Sequence, residues 1–211
     1  LIDLAERKAV HLDQLRYLIL DEADEMLNMG FKEALDQILS FTPEDKLTWL
    51  FSATMPPKIR TLSKEILKQP EEISISISKP AEKVVQVAFC AYDSQKIDLV
   101  KHLLRFNDIP CLIIFASTKS KVRSLTKELK AEGMNAAGIS SDLEQAEREK
   151  TLSQFKHRSL QILVATDVIS RGIDIDNIDM VINYDVPNDP EDYIHRIGRT
   201  ARAGAKGRAI T

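Results

Sequence analysis

Cysteine is scarce in these 211 residues: Cys90 and Cys111 are the only two, and their spacing offers neither a disulfide framework nor a Cys-based metal site. Cys111 opens an apolar run, so both read as ordinary thiols of a reducing compartment. Long hydrophobic stretches are also missing. None approaches the roughly 18 residues of a membrane-spanning helix, and Leu1 to Val10 carry four charges, which break the apolar core of a signal peptide. Charge of one sign is missing too. With 29 basic and 32 acidic residues the net charge is −3, so any surface for a polyanion must be local. Finally, no G-x-x-x-x-G-K-[ST] stretch occurs; Gly204-Ala205-Lys206-Gly207 has neither the spacing nor a following helix pattern. The expectation is a soluble, cytoplasmic, globular protein of one or two domains, with 44% apolar residues to build a core. Because the chain starts without Met and stops at Ile210-Thr211 within a strand-like pattern, it reads as a piece of a longer protein.

What is present is an alternation of short apolar runs and amphipathic segments. Tyr17 to Leu20 reads as a strand buried on both faces. Phe31 to Leu39 has helical spacing and is closed by Thr42-Pro43. Leu47 to Phe51 is a second strand, Pro56-Pro57 starts a helix through Leu67, and Ile73 to Ile77 alternates as a strand with one wet face. Charge and proline at Lys79 to Lys83 mark a boundary, giving domains 1–78 and 85–211 joined by a linker at 79–84. Beyond it, strands at Val85 to Phe89, Cys111 to Phe115, Ala136 to Ile139, Ile162 to Ala165 and Met180 to Tyr184 are separated by helical patterns. Such alternation predicts an α/β fold of βαβ units in doubly wound parallel sheets. Five strands nearly complete the second domain. Three are too few for the first, whose helix faces (Ile38, Leu39, Ile59, Ile66) are expected to lack cover.

Polar residues collect where the strands end. Tyr17–Leu20 delivers Asp21, Glu22 and Asp24, three carboxylates that would repel unless a cation or partner relieves them. A hydrated Mg²⁺ held with substrate phosphates would do so, and an ordinary acidic surface turn has the same letters. Leu47–Phe51 delivers Ser52 and Thr54. Cys111–Phe115 delivers Ser117, Thr118 and Lys119, while Ile162–Ala165 delivers Thr166 and Asp167, followed by Arg171-Gly172-Ile173-Asp174. Ligands of open α/β sheets bind at such carboxyl ends. The segment after Asp192 carries His195, Arg196, Arg199, Arg202, Lys206 and Arg208 with no acid. Arg196, Arg199 and Arg202 share one side if a helix persists past Gly198. They suit a phosphate, as they also suit a solvated basic helix paired with Glu191 and Asp192.

Asp21-Glu22-Ala23-Asp24, Ser52-Ala53-Thr54, Gln145-Ala146-Glu147-Arg148, Ala165-Thr166-Asp167 with Arg171-Gly172-Ile173-Asp174, and His195-Arg196-Ile197-Gly198-Arg199-Thr200-Ala201-Arg202 stand in the order and approximate spacing of one motif set. Together they resemble the DEAD-box ATP-dependent RNA helicases, and the likeness runs through essentially the whole chain. The resemblance implies two RecA-like domains, the first incomplete here, that close over ATP and Mg²⁺ and grip RNA across both. Carried onto matching positions, it implies that Asp21 holds Mg²⁺ through water and that Glu22 orients or deprotonates the attacking water. Asp24, Ser52, Thr54 and His195 would couple hydrolysis to closure. Asp174 would contact the ribose, and Arg199 and Arg202 would act as arginine fingers. Thr118, Gln145, Arg148, Thr166 and Gly172 would hold the RNA backbone. Ala201 departs from the pattern, standing where many relatives have glycine. The implied activity is RNA-dependent ATP hydrolysis that unwinds RNA duplexes or remodels ribonucleoprotein assemblies, by a monomer with no membrane association. These 211 residues alone, lacking a phosphate-binding loop, are expected to be nearly inactive. The alternative is a non-catalytic RNA- or protein-binding module formed by the second domain.

Overall fold

The computed structural model describes residues 1–74, 84–105, 109–167, 178–201 and 207–211. The chain divides into two compact units, Leu1–Ile77 and Ser78–Thr211. No helix among the described residues is long and apolar enough to cross a membrane.

In the first unit, helix α1 (Ile2–Glu6) precedes strand β1 (Tyr17–Leu20), helices α2 (Ala23–Asn28) and α3 (Lys32–Ser40), strand β2 (Leu47–Leu50) and helix α4 (Pro57–Ile66). The two strands pair in parallel, Tyr17 opposite Leu47 and Leu20 opposite Leu50. Leu18, Leu20 and Leu50 turn to one face and pack with Leu35, Leu62 and Ile66. Two sequence expectations are corrected here. Ile59 and Leu62 of α4 are buried, so that helix does have cover. The strands, expected to be buried on both faces, expose the other one: Tyr17, Ile19, Leu47 and Trp49 are about half exposed or more. All three main helices sit on the same side of a two-stranded sheet, and strand side chains alternate faces. Ile73 and Ser74 lie outside any strand; the rest of the strand expected there, and the linker at 79–83, lie outside the described residues.

The second unit contains β3 (Val84–Val87), α5 (Asp93–Arg105), β4 (Leu112–Phe115), α6 (Lys119–Ala131), β5 (Ala136–Ile139), α7 (Gln145–Lys156), β6 (Ile162–Ala165), β7 (Met180–Asn183), α8 (Pro190–Ile197) and β8 (Gly207–Ile210). The sheet is parallel throughout, in the order β3-β8-β7-β4-β6-β5. The strand-like end of the sequence is thus a sixth strand, inserted between β3 and β7. Every residue of β4, β6 and β7 is buried, as continuous apolar runs require when helices cover both faces. One face packs Leu112, Ile114, Ile162 and Ile182 against Val100 of α5 and Val122, Leu125 and Leu129 of α6. The other packs Ile113, Phe115, Leu163 and Val181 against Phe155 of α7, while Ile197 of α8 packs with Val84 and Ala209. Burial pushes the Cys111 thiol up to about 11, so it stays protonated and inert at neutral pH. Because the strands are parallel, the loops after β4, β5, β6 and β7 emerge at one edge.

Candidate active site and nucleic-acid interface

In the first unit, β1 hands the chain to α2 through Asp21 and Glu22. Both are exposed. Asp21 Oδ1 accepts the Glu22 N–H at 2.9 Å, and Glu22 adopts left-handed backbone angles, φ 50° and ψ 47°. A non-glycine residue in that region is strained, a condition that clusters at functional sites. Sequence reading gave no sign of it. Asp24 has the opposite environment, being only 3% exposed. Its Oδ2 accepts both the N–H and the hydroxyl of Thr54, each at 2.9 Å, and its Oδ1 accepts the Glu25 N–H at 3.2 Å. The Asp24 N–H donates to Ser52 Oγ at 3.2 Å. Three carboxylates in four positions are thus sorted, two outward and one locked to the loop after β2. Phe51 N–H to Leu20 O (2.7 Å) and Ala23 N–H to Phe51 O (3.1 Å) continue the sheet pairing into these loops and fix them together. A plain acidic surface turn has no such buried member.

In the second unit, Thr118 caps α6: its hydroxyl accepts the Lys121 N–H at 3.2 Å. Gln145 and Arg148 lie on the first turn of α7, with Arg148 donating to Gln145 Oε1 at 3.3 Å. Thr166 and Asp167 follow β6 directly. Gly172 and Asp174, and with them Arg171, lie outside the described residues, as does Arg202.

Helix α8 is capped by Asp189, which accepts the Glu191 N–H at 2.8 Å, and has Pro190 in its first turn. It carries His195, half-buried, and Arg196, buried. The helix does not persist as the arginine spacing required. It ends at Ile197 with Gly198 as its cap, and Arg199 follows, its N–H bonded to Arg196 O at 3.2 Å. Thr200 then pairs with Ile178 as a parallel bridge, its hydroxyl donating to Ile178 O, and Ala201 takes a left-handed φ of 58°. That angle explains why glycine suits the position. The turn from Arg196 to Arg199 is therefore the last one, and the chain leaves the helical path before position 202. Arg196 turns inward: its Nε and Nη2 hold the two oxygens of Asp167 at 2.6 and 2.7 Å, and its Nη1 donates to Asp185 O at 2.7 Å and Asn183 Oδ1 at 3.2 Å. Its guanidinium lies 5.0 Å from the Phe115 ring centroid.

Asp185 is a second node. Its carboxylate accepts the Ser117 N–H at 2.8 Å and the Lys121 ammonium at 2.6 Å, with Lys96 at 3.5 Å. Burial works to raise this carboxyl, but the Lys121 ammonium and the Ser117 N–H outweigh it and hold it at about 2. Relative to an ordinary carboxyl near 3.8, that is stability of about 2 kcal/mol, full above about pH 4 and lost as pH falls through 4 toward 2. Asp185→Asn is expected to remove this contribution, flattening the acid limb of a urea-unfolding series between pH 5 and about 2. An unchanged acid limb would contradict the arrangement.

Comparison with known proteins decides the family. The model of the DEAD/DEAH box helicase matches residues 1–62, and that of the helicase conserved C-terminal domain matches residues 95–204. This chain belongs to the DEAD-box RNA helicases. Curated relatives include the ATP-dependent RNA helicase CshA of Limosilactobacillus reuteri, 46% identical over 99% of this chain and 42% of the relative. ATP-dependent RNA helicase DeaD of Mycobacterium tuberculosis is 42% identical over the whole of this chain and 37% of its own length. Among solved structures, Saccharomyces cerevisiae Dbp5 bound to RNA and ADP BeF3 superposes with a TM-score of 0.90 at 35% identity, over 99% of this chain and 56% of that one. A DEAD box protein from Methanococcus jannaschii gives 0.59 at 40% identity, over 99% of this chain and 56% of that one. The DEAD-box chain described here thus spans less than half the length of these curated relatives.

Both units of this DEAD-box chain have mixed α/β structure with parallel strands, as the motif order implied. The structure joins Asp24, Ser52 and Thr54 in one lock beside Asp21 and Glu22. It places Thr118 and Thr166 at one sheet edge, with Gln145 and Arg148 on α7, and His195 and Arg199 on and just past α8. Sequence reading assigned no role to Asp185, and saw Arg196 only as one of several basic residues. The available signal was a carboxylate immediately following an apolar strand, the same signal that marked Asp21.

Proposed function

We propose that the protein to which this chain belongs is an RNA-dependent ATPase that unwinds RNA duplexes or remodels RNA–protein complexes. The observation that carries this reading is the sorting of the DEAD carboxylates: Asp21 and Glu22 presented at a strand end, Asp24 buried against Ser52 and Thr54. Names of relatives and the RNA-bound Dbp5 neighbour support the same substrate class.

Asp21 fits Mg²⁺, a hard cation that keeps several waters and needs as little as one protein carboxylate beside the substrate phosphates. When bound, the ion would neutralise charge on the phosphates. Glu22, exposed and held by its left-handed backbone, orients or deprotonates the water that attacks the γ-phosphate. Arg199 stabilises charge developing on the transferred phosphoryl group, and Arg202 assists it. Thr118 and Thr166, with Gln145 and Arg148, take the RNA backbone, which positions the strand without reading its sequence. Phosphoryl transfer is mostly positioning and charge neutralisation, so hydrolysis is responsive to RNA that sets the placement of these groups.

The test is ATP turnover with and without single-stranded RNA. The full-length protein is expected to hydrolyse ATP in an RNA-stimulated manner, and the 211-residue chain, which has no phosphate-binding loop, to do so barely. Absence of turnover in the full-length protein with RNA still bound would favour a binding module instead. Robust turnover by the 211 residues alone would refute the expected need for a phosphate-binding loop outside them.

A further inference from the structure

Among the described residues, Arg196 is where three strand ends of the second unit meet one helix. It is 4% exposed. Its fork takes both oxygens of Asp167, which follows β6; its Nη1 takes Asn183 and the Asp185 carbonyl at the end of β7; and its plane covers Phe115, the last residue of β4. We infer that Arg196 and Asp167 are positioning residues, which fix Arg199 relative to the strand-edge loops carrying Thr118 and Thr166 and so make arginine placement depend on how those loops sit on RNA. The inference rests on the proposed ATPase reading and names the internal link it requires.

Each connection is short. Arg199 stands three residues after Arg196, with its N–H on the Arg196 carbonyl. Thr166 is the chain neighbour of Asp167. On the other side, Asp185, whose carbonyl Arg196 holds, takes the Ser117 N–H through its carboxylate, and Ser117 is the neighbour of Thr118. A guanidinium fork on a carboxylate has fixed planar geometry, so Asp167 cannot shift along the sheet edge without carrying α8 or breaking two charge-assisted bonds. The guanidinium end of the pair is buried, which strengthens its hydrogen bonds and keeps water from replacing them there. A merely stabilising ion pair needs only opposite charge, whereas a positioning pair needs this distance.

That difference sets the experiment. In the full-length protein, Asp167→Glu keeps the charge but lengthens the side chain by one methylene, and Arg196→Lys keeps the charge but loses the fork. Arg158→Lys, at the exposed pair with Asp179 (3.2 Å), serves as a control. RNA-stimulated kcat is expected to fall on the order of a hundredfold in Asp167→Glu and Arg196→Lys, as for a displacement of about 1 Å near the chemistry. KM for ATP should hold, since the lost interaction belongs to the transition state. The control should keep wild-type kcat. Folded Asp167→Glu or Arg196→Lys protein with wild-type kcat overturns the inference, and so does a loss of kcat matched by an equal rise in KM for ATP. If the wild-type protein shows no RNA-stimulated hydrolysis, the functional reading fails first and this one with it.

Discussion

Replacing Glu22 with Gln is expected to lower RNA-stimulated ATP hydrolysis by the full-length protein on the order of a hundredfold to ten-thousandfold, the range for losing a positioned general base. Binding of RNA should survive, because the residues assigned to the strand lie in the second unit. Glutamine keeps the size and one acceptor oxygen of glutamate but neither carries the charge nor accepts a proton. Glu22 is exposed, and the hydrogen bond it makes to Asp21 uses its backbone N–H, so the substitution removes no packing. The strained φ of 50° is a property of the backbone that Gln inherits. Stability measured by urea unfolding is therefore expected to change by less than about 0.5 kcal/mol, as for a surface substitution. Steady-state turnover at saturating RNA, with RNA affinity measured separately, checks both halves. Retention of wild-type turnover would remove Glu22 from the chemistry.

The second large effect concerns stability. Arg196→Ala is expected to cost on the order of 3 kcal/mol, because it truncates a side chain only 4% exposed and takes one donor group from the Asp167 carboxylate, the Asn183 amide oxygen and the Asp185 carbonyl at once. It also uncovers the Phe115 ring. An exposed pair behaves otherwise: deleting Arg158 from its bridge to Asp179 should cost no more than about 1 kcal/mol. Parallel urea titrations of the two alanine variants separate a buried node from a surface contact. Equal small losses would mean that Asp167 finds water or another partner when Arg196 is gone.

The arginine segment shows where reading from sequence stops. A run of basic residues at helical spacing says that guanidiniums gather, and the sequence contains nothing that says which of them turns inward. Arg196 is one of five arginines and lysines without an acid among them; its acid lies 29 positions upstream, at Asp167. Just past the helix, Thr200 pairs with Ile178, again a long-range pairing. The same limit applies to Asp24 and Thr54, 30 positions apart. Their types marked two separate strand ends, and only the parallel register of β1 with β2 put those ends side by side.

By itself the sequence determined the alternation of strands and helices, the parallel α/β class, the strand ends that carry polar groups, and the motif order that places the chain among DEAD-box helicases. These follow from local quantities: side-chain period, turn chemistry and residue type at short spacing. Tertiary structure alone decided which carboxylate of the DEAD motif is buried, which arginine is structural, that β8 lies between β3 and β7, and that the first sheet leaves one apolar face open. Each of these depends on partners tens of residues away, and a hydrogen bond or a burial is a property of the pair rather than of either residue.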